Sequence, residues 1–140
     1  MPNQKFFENQ SAQVYYDEAL DALFLEYTNK VLSHEQFVAI NMAVLNTFTK
    51  LKTVKFVADI RKMGVISVES KAWVVNNLLP GMVKHLKGGE LIHVQFMDTS
   101  EVFSKIAANH VKDKSSEKIE KLRIAQFTDR TEMEAYLRTV

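Results

Sequence analysis

The amino-acid sequence predicts an α/β fold with a mostly parallel sheet of about five strands, and three observations carry that expectation. Apolar residues alternate or cluster in five short segments and recur at helical spacing between them. Helix starts are marked by serine or aspartate at capping positions. After an initial pair of strands, the two kinds of segment alternate, which is the pattern of right-handed parallel crossovers.

Taken in order, "QVYYDEA" (13–19) and "ALFLEYT" (22–28) are rich in β-branched and aromatic residues, and the few residues between them favour an antiparallel hairpin. Ser33 and Gln36 have capping-box spacing ahead of Phe37, Ile40, Val44, Phe48 and Leu51, which recur as one helical stripe. "VKFVADI" (54–60) reads as a strand and 68–86 as a helix opened by Ser67. "LIHVQFM" (91–97) is the next strand. Asp98 and Glu101 repeat the capping spacing before a helix carrying Val102, Phe103, Ile106 and Ala107. "LRIAQFT" (122–128) is the last strand, and Asp129 with Glu132 opens the final helix. The resulting order is β-β-α-β-α-β-α-β-α, with the first strand antiparallel at or near an edge.

Residues 1–140 read as a single domain, because no repeat, low-complexity stretch or Pro/Gly-rich linker divides them. With 46% apolar and 25% charged residues, the chain has enough apolar side chains for a core that needs neither metal nor disulfide. The absence of cysteine excludes thiolate metal sites and cysteine nucleophiles, and fits a reducing compartment. The start "MPNQKFFENQ" has no targeting pattern, and no run approaches the roughly 20 apolar residues of a membrane span, so the expected location is cytoplasmic, without membrane insertion. A net charge of +1, with mixed signs in the densest cluster "VKDKSSEKIEKLR" (111–123), argues against nucleic acid as a partner.

The strand ending in Asp59, the passage "D-x-R-x-x-G-x-x-S" from Asp59 to Ser67 and the helical Trp73 resemble the STAS or SpoIIAA-like fold and its SEC14-related relatives, above all small bacterial proteins of that group. The resemblance covers nearly the whole chain. It implies a protein-contact or regulatory module in bacterial signalling, and names the fold more directly than an activity. In the anti-sigma-factor antagonists of that family, a serine in an Asp-Ser-Ser-Gly sequence of this loop is phosphorylated. Laid over Ser67, Val68, Glu69 and Ser70, that pattern places Glu69 at the modified position, where a carboxylate supplies permanent negative charge and no phosphorylation can occur. The SEC14 relatives imply an alternative: a binder or sensor of a small apolar ligand or lipid.

Asp59, Ser67, Glu69 and Ser70 are therefore the candidates for a regulatory loop. Three of the four also have a structural explanation: Ser67 as N-cap, Glu69 complementing the helix dipole, and Asp59 pairing with Arg61. In the helix that follows, Val75, Leu79, Met82 and Leu86 form the stripe expected to face the sheet. At about 100° per residue, Trp73, Asn77, Pro80 and Lys84 fall nearly opposite, as a candidate face for a protein partner or a second copy of the chain. A kink at Pro80 that rotates the first turn is the competing account of Trp73. His34, His85, His93 and His110 have no metal-ligand spacing, and nothing matches a P-loop, a dinucleotide fingerprint or a nucleophile elbow. No cofactor, metal or catalytic residue is therefore assigned, and the chain reads as non-enzymatic. Met42, Met82, Met133 and Phe103 are expected to fill the core.

Overall fold

The computed structural model describes residues 4–140. Six strands form one sheet: β1 (Gln4–Glu8), β2 (Ala12–Asp17), β3 (Ala22–Tyr27), β4 (Lys55–Asp59), β5 (Leu91–Phe96) and β6 (Leu122–Phe127). Each is hydrogen-bonded to its neighbour in sequence, antiparallel through β1, β2 and β3 and parallel from β3 to β6. The α/β class and the mostly parallel sheet are as expected. The sheet gains a sixth strand because Gln4–Glu8 pairs with β2, with a shift in register between Lys5 and Phe7. This segment has no strand signal of its own; β2 supplies the template.

The helices are α1 (His34–Phe48), α2 (Val68–Trp73), α3 (Leu79–His85), α4 (Val102–Lys118) and α5 (Arg130–Thr139), with a π-helical turn at Val74–Leu78 joining α2 to α3. A strand order that never reverses, combined with right-handed crossovers, puts all the connecting helices on the same face of the sheet. The larger core lies there: Leu23, Leu25, Phe56 and Leu91 of the sheet pack with Ile40, Leu79 and Val111 of the helices. The opposite face is left to α5, whose Met133 and Leu137 join Phe24, Val57, Val94 and Phe96 in a smaller cluster.

Capping follows the sequence signals with one correction. Ser33 Oγ accepts from the Gln36 N–H at 3.0 Å, and Gln36 Oε1 accepts from the Leu32 N–H at 2.7 Å. Asp129 caps α5 by accepting from the Thr131 N–H at 2.8 Å. Asp98 does not cap α4: it accepts from Ser100 in a preceding turn, and Glu101 is the cap, accepting from the Phe103 N–H at 2.9 Å.

One buried charge ties α5 to the sheet. Lys55 of β4 donates from Nζ to the carbonyls of Leu137 at 2.7 Å and Leu20 at 3.2 Å. Lys55→Met removes both bonds and leaves two carbonyls without their donor, so we expect a loss of about 2 kcal/mol in urea-unfolding stability, the usual weight of hydrogen bonds to a charged group.

Candidate functional site

The parallel strands end in a row, so the β3–α1, β4–α2 and β5–α4 junctions are neighbours along the C-terminal edge of the sheet. In α/β sheets this edge commonly receives ligands and partners.

At the middle junction, Asp59 is buried at the end of β4. Its carboxylate accepts from Arg61 Nε at 2.9 Å and Nη2 at 2.7 Å, the forked pairing that guanidinium geometry favours. Arg61 in turn lies 4.4 Å from the centre of the Phe96 ring. The chain then turns through Gly64 at φ +76°, where an added Cβ would also meet the Lys30 side chain at 3.1 Å. Ser67 caps α2, its Oγ accepting from the Ser70 N–H at 3.0 Å.

Ser70 is buried, and its hydroxyl links two groups: Ser67 Oγ donates to it at 3.0 Å, and it lies 3.0 Å from His34 Nδ1. The three residues line a surface recess of about 180 Å³ between the first two junctions. Glu69 is exposed beside them and makes no ion pair among the described residues. Three of the four loop candidates thus gather at the start of α2, while Asp59 is engaged by Arg61 at the strand end. His34 is an addition that the sequence order conceals, since it reaches Ser70 across 36 residues.

The candidate face further along the helix is not one open surface. Asn77 and Lys84 are exposed, whereas Trp73 and Pro80 are half-buried and Trp73 packs against the larger core. The reason is the π-helical turn: the Leu79 N–H bonds to the Val74 carbonyl, five residues back. Pro80 has no N–H to continue the α-helical ladder, and the wider turn shifts the helical phase by about one residue between Trp73 and Lys84. Projection of an uninterrupted helix places Trp73 too far outward. Pro80 and Lys84 instead border a broad groove of about 610 Å³ against the turn after α4.

The less expected feature is α4. Its buried residues are Ser104, Ala107, Ala108, Val111 and Ser115, while Val102, Phe103 and Ile106 are 54–60% exposed. Small side chains face the sheet and large apolar ones face outward, so Phe103 is not the core residue its type implies. Met42 is 38% exposed and so is only partly covered, while Met82 and Met133 are fully buried. Leu32 and Val68, at 71%, and Val65, at 62%, add exposed apolar groups on the neighbouring junctions. The sequence signal was present in the Ser104, Ala107, Ala108 and Val111 spacing, which is as helical as that of the larger residues.

The small inward residues of α4 leave space. A cavity of about 50 Å³ lies between the sheet and the helices, bordered by Ala107 and Ala108, by His93 and Gln95 of β5, and by Tyr27 and Asn41. His93 Nδ1 lies 3.1 Å from the Phe56 carbonyl, and its ring stacks on that of Phe56 at 4.8 Å. Burial pulls the His93 imidazole down to about 4, so the ring is neutral near pH 7. The buried Tyr27 hydroxyl accepts from Asn41 Nδ2 at 3.2 Å, and desolvation pushes its ionisation well above the usual tyrosine range.

No family model matches the chain, and neither a curated protein nor a solved structure does. Among the described residues, no helix is long and apolar enough to cross a membrane.

Proposed function

We infer that the chain is a non-enzymatic, cytoplasmic protein-contact module of the STAS or SpoIIAA-like kind, with a regulatory role and without that family's phosphorylatable serine. The observation that supports this reading is the outward display of Val102, Phe103 and Ile106 on α4, which is surface a monomer has no use for. Leu32, Val65 and Val68 extend the apolar surface along the same edge of the sheet, around the Ser67 cap and the exposed Glu69.

The occupant that fits first is a second copy of the chain. Apolar side chains need no complementary charge, a two-fold axis brings one patch onto itself, and a net charge of +1 leaves little repulsion between copies. Sedimentation equilibrium tests this. The wild type is expected to be dimeric, and Phe103→Asp with Ile106→Asp should weaken the dimer about 30-fold or more, as for central interface residues, while the far-UV spectrum stays unchanged. A wild type that remains monomeric at high concentration, or a dimer indifferent to the pair of substitutions, overturns the assignment.

A second reading, a binder of a small apolar ligand, draws on the cavity beneath α4. Its volume, about a third of the roughly 150 Å³ that accommodates benzene in an engineered protein, has no room for an acyl chain in this conformation.

A further inference from the structure

We propose that the cavity beneath α4 binds a small neutral molecule of the short-chain alcohol class, whose hydroxyl donates a hydrogen bond to His93 Nε2. The inference rests on the small-ligand reading and adds to it a chemical class and an anchoring atom.

The anchor follows from the tautomer. A backbone carbonyl only accepts, so the contact with Phe56 O places the proton on Nδ1 and leaves Nε2 of the neutral ring as an acceptor. His93 is 2% exposed, and among the described residues nothing donates to Nε2. Among the described residues, the side-chain polar atoms that are both sealed in and partnerless are the hydroxyls of Ser104 and Ser115; Nε2 is not one of them, and His93 lines the cavity.

Neutrality and size follow from the walls. Among the described residues, no aspartate, glutamate, lysine or arginine borders the cavity, so an ionic occupant would enter without a counter-charge. About 50 Å³ suits a molecule of a few heavy atoms.

The hydroxyl with an apolar tail follows from which polar groups are already engaged. Gln95 donates to the Ala108 carbonyl at 3.1 Å and accepts from Gln126 at 2.8 Å. His93 pairs with Phe56, and Phe56 with Leu23, so Tyr27 lies four residues further along the sheet. An alcohol supplies the single donor that Nε2 lacks and directs its carbons to apolar walls. Met63 and Ile66, on the β4–α2 loop, complete those walls, and the unbranched Met63 side chain can adjust to the tail.

The test compares 2-propanol with acetone, which share a skeleton, by titrating each into the full-length protein while following amide shifts of His93, Ala107 and Ala108 and the imidazole ¹⁵N signals. 2-Propanol is expected to saturate these signals about 10-fold more tightly than acetone and to move the Nε2 resonance, because only it can donate. His93→Leu should abolish the preference; should that variant not fold, the wild-type comparison decides alone. Equal binding, or tighter binding of acetone, overturns the hydroxyl assignment while leaving a small-ligand site. No saturable change at these residues with either probe overturns both.

Discussion

Lowering the pH from 7 to 4 is expected to cost the fold on the order of 3 kcal/mol through His93 alone. The native imidazole titrates near 4 because burial disfavours its charged form, with the Phe56 carbonyl offsetting part of that effect. Unfolding returns the ring to the ordinary value near 6.5. Between those values the unfolded chain takes up a proton that the native chain refuses. Stability is thus fully present above about pH 6.5 and declines as pH falls toward 4. Among the described residues, no charged side chain lines the cavity beside the ring to offset this. Urea unfolding across the range, for the wild type and His93→Phe, isolates the contribution, since carboxylates titrate alike in both. The variant loses the bond to Phe56 O and starts less stable, but its curve should be flatter by the His93 amount. Parallel curves would mean that His93 is not held neutral in the native state.

The same residue shows how far sequence reasoning reaches. His93 alternates with apolar neighbours in "LIHVQFM", so its place in a buried strand was legible from period alone. That its Nε2 would face an empty space was not, because the space depends on which side of α4 turns inward. In α4 two sets compete, Val102, Phe103 and Ile106 against Ser104, Ala107, Ala108 and Val111, and both recur at helical spacing. Side-chain size favours the first as core, yet the sheet accepts the second. Below α4 lie His93 and Gln95, and Gln126 of β6 bonds to Asn109 of α4 at 3.0 Å. Such polar partners orient a helix through contacts distant in sequence, which periodicity cannot register. Gln4–Glu8 illustrates the same limit, since its strand character comes from β2, and so does the His34 to Ser70 contact. By contrast, Ser33, Ser67 and Asp129 were legible because a cap is decided within a few residues.

Arg61→Met should destabilise the fold by about 3 kcal/mol, considerably more than Asp59→Asn at about 1 kcal/mol. The asymmetry comes from unequal burial: the Asp59 side chain is 3% exposed and the Arg61 side chain 37%. Removing the arginine leaves an ionised carboxylate enclosed without its counter-charge, and the lower end of the range for buried pairs applies because solvent reaches the vacated guanidinium position. Methionine retains part of the packing on Phe96, so the loss is chiefly electrostatic. Asp59→Asn removes the buried charge itself and keeps an acceptor for Arg61. Combining the two substitutions should therefore be less damaging than the sum of the single ones, a coupling that urea denaturation of all four proteins would reveal. The result also decides what Asp59 is available to do. If Arg61→Met is no worse than Asp59→Asn, the carboxylate is not committed to its partner and can serve in regulation at the C-terminal edge. The forked pairing predicts otherwise, placing Asp59 in the scaffold and leaving the proposed recognition to the exposed groups around Ser67 and on α4.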